Sequence, residues 1–293
     1  MRNMETVGSA RHWAVGKLTG AGVQSPGLAA DLLLGFTLGW DRVRIISHPE
    51  QPLAEDPWNR FIILVNRHAS GEPLHYITGE REFYGLSFRV TPAVLIPRPE
   101  TEILVEKAIG LLRSRPSPAR CLDVGTGSGC IAVSIADAVP TCTGLAVDIS
   151  DDALKIAREN AIRHGVDKRI QFIRSDLLSC FLPETVFDFV LSNPPYVPLE
   201  EYDNLPNDVK DFEPKPSLLG GKSGLGIYSR LIPCVPLHLV PGGYLLLELG
   251  AGQAEPVRML AEKAGLSVEM ILNDLQGIPR CLVARKIFRR NHG

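Results

Sequence analysis

From about residue 117 onward, short apolar runs alternate with amphipathic stretches, and this alternation limits the possible folds more than any other feature of the chain. The runs are ARCLDVG, GLAVDIS, IQFIRSD, FDFVLSN and GGYLLLELG, and stretches such as DDALKIARENAIRHG, with apolar residues at helical spacing, lie between several of them. A strand that is apolar on both faces must be covered on both, and helical crossovers that do so lay successive strands parallel. The pattern predicts an α/β domain with a Rossmann-like, doubly wound sheet and helices on each side. VEMILND and RCLVARKIF add two closing strands.

The region before this domain reads differently. Residues 1–72 are expected to form a small helical bundle: AADLLLGFTLGW reads as a buried helix, and Trp58, Phe61, Ile62 and Val65 recur at helical spacing. Residues 73–98 mix β-branched and aromatic residues with turn signals, as a β-hairpin linker would. The third segment, 99–293, opens with Pro99 at a first helical position and Glu100 and Glu102 in the first turn, where the helix dipole favours acids.

A chain of 293 residues can bury a substantial core, and its formal net charge of -2 supplies no global field for holding duplex DNA. The basic tail RKIFRRNHG is expected to be a solvated end. The six cysteines show no CxxC pair, which predicts reduced thiols with no metal site or disulfide framework. No stretch approaches the roughly 18 apolar residues of a membrane span, and the N-terminus lacks the apolar core of a signal peptide. A soluble, cytoplasmic protein without membrane contact is expected.

In an open α/β sheet, ligands bind beyond the carboxyl ends of the strands. LDVGTGSGCIA falls at such an end, and Gly125, Gly127 and Gly129 allow a close backbone approach. Gly127 to Ala132 also reads G-x-G-x-x-A, with Asp148 about twenty residues on, so a dinucleotide-binding dehydrogenase is a rival reading. Charge argues against it. Asp123, Asp148 and Asp176 all stand at strand ends, where they would repel a pyrophosphate. They suit S-adenosylmethionine, a cation without phosphate, and Asp148 can accept from its ribose hydroxyls. Strand-end acids can also merely cap the next helix, which fits Asp151 and Asp152 well and Asp123 poorly.

The second marked feature is SNPPYVP, directly after FDFVLS. Two prolines stop a strand ladder and make a rigid corner. A planar NH₂, in an amide or a nucleobase, is a poor nucleophile because its lone pair is delocalised. The Asn193 side-chain oxygen can accept one of its N–H groups and the Pro194 carbonyl the other, which aims the nitrogen. Tyr196 can stack on the planar group and exclude water.

With these motifs the chain resembles the class I S-adenosylmethionine-dependent methyltransferases that act on amide or exocyclic nitrogen. Among them it is most similar to the protein-(glutamine) methyltransferase family that modifies peptide chain release factors. GEPLHYITGEREFYGLSFRV, VLIPRPETEILVE, LDVGTGSGCIA, VDISDDALKIARENA, SNPPYVP, FEPKPSLLGG and GGYLLLELG carry the likeness over nearly the whole chain. The resemblance implies a seven-stranded sheet with its last strand antiparallel, behind an N-terminal all-α domain; from the arrangement alone, that domain is expected to supply the docking surface for a protein substrate. The resemblance also implies methylation of the glutamine in the Gly-Gly-Gln loop of class 1 release factors, a step that modulates translation termination.

By the same resemblance Gly125, Thr126, Gly127, Ser128, Gly129 and Asp148 hold the cofactor, with Asn193 at its methyl end. Asn193, Pro194, Pro195 and Tyr196 grip the glutamine, and Asn193, Pro194 and Tyr196 are the catalytic set. Leu177, near the adenine, stands where some relatives have tryptophan. Ser223 replaces an acid usual in relatives, and its loop receives no role. Arg98 and Glu100 either shape the substrate mouth or cap a helix. Two alternatives remain open: a nucleic-acid amino methyltransferase, which would use the same corner on adenine or guanine, and a fold that binds cofactor or partner without turnover. No basic or aromatic recognition region supports stable nucleic-acid binding.

Overall fold

The computed structural model describes residues 6–115 and 118–287; the last residues of the basic tail, 288–293, lie outside them. The chain divides into two compact units, one comprising the residues up to Glu80 with Pro206–Phe212, the other Arg81–Leu205 with the residues from Glu213 on.

The first unit is helical: α1 (Val7–Gly20), α2 (Pro26–Leu38), α3 (Arg42–Ser47), α4 (Glu55–Ala69) and α5 (Leu74–Thr78). Local chemistry sets the ends. Thr6 and Ser9 form a reciprocal capping box ahead of α1, and Asp41 caps α3 by accepting from the Arg44 amide at 2.7 Å. Gly39, at φ 66°, ends α2 in the left-handed conformation. The core joins Leu18, Leu33, Leu34, Phe61 and Val65, with Trp13 edge-on to Trp58 at 5.2 Å. The expected burial of α2 holds on one side only: Leu28, Leu32 and Phe36 are about 40% exposed. Their spacing of four residues places them on the side away from Leu33 and Leu34.

In the second unit, β1 (Glu80–Phe83) and β2 (Leu86–Arg89) form a two-stranded sheet. They are joined through Tyr84 (φ 49°) and Gly85 (φ 74°), the two left-handed residues of a tight hairpin turn. The Glu102 carboxylate accepts from the Tyr84 amide at 2.9 Å and so fastens the turn to α6 (Thr101–Arg113). This helix begins two residues beyond Pro99, and Glu100 at its N-cap makes no side-chain capping bond.

The main sheet alternates with helices as the sequence pattern predicts: β3 (Arg120–Val124), α7 (Cys130–Ala138), β4 (Thr143–Asp148), α8 (Asp151–Arg163), β5 (Ile170–Arg174) and β6 (Phe187–Ser192). Four short helices follow in sequence: α9 (Asn207–Lys210), within the segment that belongs to the first unit, then α10 (Lys215–Leu218), α11 (Gly226–Leu231) and α12 (Val235–His238). Then come β7 (Leu239–Glu248), α13 (Ala254–Lys263), β8 (Leu266–Asn273) and β9 (Pro279–Lys286).

The seven strands lie in the order β5-β4-β3-β6-β7-β9-β8. β9 is antiparallel to both neighbours because the connection from β8 is a tight turn, closed by the Asp274 amide on the Ile278 carbonyl at 2.8 Å, too short for a crossover. Each sheet face is covered by its own apolar core. One gathers Leu104, Val105, Ile131, Val133 and Phe189; the other gathers Leu122, Val190, Tyr228, Leu231 and Val257. The order reverses at β3, whose crossovers run outward through β4 and β5 while β6 lies on its other side. The carboxyl ends of β3 and β6 therefore flank the switch point, where ligands bind in such sheets.

Candidate active site

Two loops leave the sheet side by side. β3 pairs with β6 in a register that sets Asp123 beside Leu191, so the glycine loop and the SNPPY corner emerge at the same edge. The Ser192 hydroxyl donates to the Val124 carbonyl at 2.6 Å and ties the two exits together.

The glycine loop is shaped by its backbone. Gly125, Gly127 and Gly129 have φ values of 72°, 56° and 81°, which only glycine adopts freely. A Cβ at Gly125 or Gly127 would meet nothing within 4 Å, so the loop has open space along that side. Gly129 differs: a Cβ there would approach the Ala157 Cβ to 3.1 Å, so this glycine lets α7 and α8 pack closely. The Gly127 amide donates to Asp148 Oδ2 and the Ser150 amide to Oδ1, each at 2.9 Å. The Asp148 carboxylate is thereby fixed beside the loop. Burial raises its pKa, against the pull of the amides of Ser150, Gly127 and Ile149.

The three strand-end acids are not alike, and the expectation that all three together would repel a pyrophosphate is corrected. Asp123 is buried and turned inward: its Oδ2 accepts from the Thr126 hydroxyl at 2.6 Å and from the Ala132 amide, in the first turn of α7, at 3.3 Å. Contrary to expectation it does cap that helix, because the loop folds back over the strand end. Its other oxygen, Oδ1, has no hydrogen-bond partner among the described residues, and burial pushes the carboxyl up to about 7. Asp176 is exposed and paired with Arg230 at 2.6 Å, which cancels much of its field. The charge argument against a pyrophosphate therefore rests on Asp148 and Asp123 alone.

At the corner, Asn193 is half-buried and Pro194 buried. The Asn193 side chain donates through Nδ2 to the Thr101 hydroxyl at 3.1 Å, and Thr101 donates to Glu248 Oε2 at 2.5 Å. The Tyr196 hydroxyl donates to the other oxygen of the same carboxylate at 3.3 Å. Glu248 is 2% exposed at the end of β7, and burial raises its carboxyl to about 7 against the pull of Thr101 and Tyr196. Burial, followed by the nearby Glu248 charge, likewise raises the Tyr196 phenol, which stays a donor.

Thr101, Glu248 and Gln253 were not singled out from sequence. Glu248 had a legible signal, a lone acid inside YLLLELG, where a strand through a core has no use for charge. The Gln253 amide donates to the Tyr196 carbonyl at 2.9 Å and holds the far side of the corner. The loop around Ser223, given no role from sequence, packs against the same segment. The Gly220 amide donates to the Val197 carbonyl and the Val197 amide to the Leu218 carbonyl, each at 2.9 Å, and a Cβ at Gly220 would come within 2.8 Å of the Tyr196 Cα. Ser223 itself is exposed.

Leu177 follows β5 with φ 52°, a left-handed conformation that costs a side chain about 1 kcal/mol, and packs partly buried against the core that includes Val147. Arg98 pairs at 2.7 Å with Glu213, whose second oxygen accepts from the Ile96 amide at 3.3 Å, so Arg98 braces the segment leading into α6.

Residues 9–79 match the family model described as the PrmC N-terminal domain, and residues 101–205 match the methyltransferase small domain. A release factor glutamine methyltransferase of Koribacter versatilis is 46% identical over 93% of this chain and 96% of its own length. One from Geobacter sulfurreducens is 40% identical over 96% of both. The fold is shared with a methyltransferase of Pyrococcus furiosus at a TM-score of 0.53 and 21% identity, over 78% of this chain and 99% of that one. With relatives this similar along nearly their whole length, and with both loops of the site formed at one sheet edge, the chain belongs to the release factor glutamine methyltransferase family.

Proposed function

We propose that this chain transfers the methyl group of S-adenosylmethionine to the side-chain amide nitrogen of the glutamine in the Gly-Gly-Gln loop of class 1 peptide chain release factors. The observation that carries this reading is the corner after β6. It offers the Asn193 carboxamide oxygen, turned away from Thr101, beside a glycine loop suited to a cation.

The residues present fit the cofactor. Open space beside Gly125 and Gly127 admits a ligand against the backbone, and the buried Asp123 Oδ1, without a partner among the described residues, can accept from an ammonium or a water that it holds. Asp148 is set to accept from ribose hydroxyls, Thr126 and Ser128 complete the loop wall, and Leu177 offers an apolar contact in place of an aromatic one. When bound, S-adenosylmethionine supplies a methyl carried on a sulfonium, an electrophile that needs no metal.

The chain's own part is orientation. Asn193 Oδ1 and the Pro194 carbonyl accept the two N–H groups of the glutamine amide, draw its lone pair out of conjugation and direct the nitrogen. Pro194 and Pro195 keep these acceptors rigid, and the Tyr196 ring covers the amide plane and excludes water. No general base is required before transfer, because the nitrogen becomes acidic only as the new bond forms. Segments 1–72, 73–98 and 99–293 then divide the work: the helical segment docks the release factor, the hairpin links, and the sheet domain carries out the transfer.

The direct test is incubation with isotopically labelled S-adenosylmethionine and, in parallel, a class 1 release factor, RNA and DNA, followed by mass spectrometry of the products. A single methyl on the Gly-Gly-Gln glutamine is expected. Label in a nucleobase, or in no product, would overturn the reading.

A further inference from the structure

Glu248 is a carboxylate where the fold asks for an apolar residue. It lies between Leu247 and Leu249, both fully buried, and meets hydroxyl groups where a buried charge ordinarily meets a cation. Removing a carboxylate from water costs several kcal/mol, and a core built only for stability would place an aliphatic side chain there. Such a group is retained at a functional site when its charge organises something else.

We infer that Glu248, acting through the Thr101 hydroxyl, is a positioning residue that fixes which end of the Asn193 carboxamide faces the substrate. The inference deepens the proposed function and rests on it for what that orientation accomplishes. It follows from counting protons. Thr101 has one hydroxyl proton, and an ionised carboxylate 2.5 Å away takes it. The hydroxyl oxygen can then only accept from Asn193, 3.1 Å away, so the NH₂ end of the amide must turn inward. Were the amide reversed, two oxygens would face each other with no proton between them, an unpaired contact of the kind buried sites avoid. The carboxamide oxygen is thus committed to the outer side, where an acceptor is required.

The same carboxylate sets the other wall of the corner. Its second oxygen accepts from the Tyr196 hydroxyl at 3.3 Å, and the Tyr228 hydroxyl anchors the Glu248 carbonyl at 2.7 Å. Asn193 and Tyr196 therefore share one electrostatic reference, contributed by β7, and Asn193 reaches it through the first residue of α6. The ionisable groups acting on or near Glu248 are Glu100, Arg280, Tyr196, Tyr228, Cys130 and Cys281. Burial holds the carboxyl near 7, opposed by the hydrogen bonds from Thr101 and Tyr196. Protonation puts a donor among donors and frees the Thr101 hydroxyl to point elsewhere, so the orienting effect is half present at about pH 7, approaches completion one to two pH units above it and fades below it.

The test uses the full-length chain with saturating S-adenosylmethionine and a class 1 release factor. Thr101→Val keeps the shape but removes the relay, and kcat is expected to fall roughly tenfold to a hundredfold while cofactor Kd stays within about twofold. Thr101→Ser should restore most of the rate. In an Asn193→Ala background Thr101→Val should cost nothing further, since Thr101 acts only through Asn193. Glu248→Gln should abolish the rise of kcat through pH 7.

A Thr101→Val loss of equal size with and without Asn193, or a wild-type rate in Thr101→Val, would overturn the inference. Independently of any substrate, the side-chain ¹⁵N–¹H signals of Asn193, assigned by their loss in Asn193→Ala, should shift and lose exchange protection in Thr101→Val. If they do not move, the lock does not exist. If wild type methylates no release factor glutamine, the functional reading fails, while these signals still decide the lock.

Discussion

Replacing Asp123 by asparagine separates what this carboxyl costs the fold from what it contributes to the site. Its displacement from 3.8 to about 7 on burial corresponds to roughly 4 kcal/mol against the folded state at high pH, at about 1.36 kcal/mol per tenfold change in proton affinity. A raised carboxyl binds its proton more tightly when folded, so stability is highest at low pH and declines until pH passes the folded value. The unfolded carboxyl ionises first, near 4. By about pH 5.5 roughly half the penalty is therefore present, and a further ~2 kcal/mol accrues by about pH 8.5. Asparagine does not titrate. Urea unfolding of the cofactor-free chain should show the variant gaining about 2 kcal/mol relative to wild type between those two pH values, whatever the offset at the lower one. Glu248 titrates in the same window but in both proteins, and it cancels in the comparison. A gap between variant and wild type that stays constant with pH would refute the assignment of a buried, ionising Asp123. The same variant should bind S-adenosylmethionine more weakly by calorimetry, because the acceptor at Oδ1 loses its charge.

Asn193→Ala is expected to lower turnover by on the order of 10²-fold or more with cofactor affinity largely kept, the signature of a lost preorganised acceptor; a wild-type rate would end its assigned role. Asp148→Ala should raise the cofactor Kd before it affects kcat at saturation, and unchanged calorimetric affinity would remove Asp148 from the ribose site. Gly129→Ala forces a Cβ to 3.1 Å from that of Ala157 at φ 81°, so a loss of about 1–3 kcal/mol in thermal or urea unfolding is expected, and a neutral variant would show that α7 and α8 can separate freely. Leu177→Trp should tighten S-adenosylmethionine several-fold if the side chain lies over the adenine, and equal affinity would place the adenine elsewhere.

The alternation of apolar runs from ARCLDVG to RCLVARKIF was enough to determine a mostly parallel sheet, its crossovers and the edge at which a ligand binds, because strand and helix periodicities are local and the rules of connection are few. The glycine loop and the SNPPY corner were legible for the same reason: glycine and proline act on their own backbone, wherever the chain then goes. Only tertiary structure could decide the state of the charges. Asp123, Asp148 and Asp176 look equivalent along the chain, yet one is buried with an oxygen that has no partner among the described residues, one is clasped by amides and one is paired with Arg230. Thr101, Asn193 and Glu248 stand far apart in sequence, with nothing local to connect them, and become one relay only because the start of α6 meets the ends of β6 and β7. A proton's position depends on what surrounds an oxygen in space, and local sequence patterns carry no record of that.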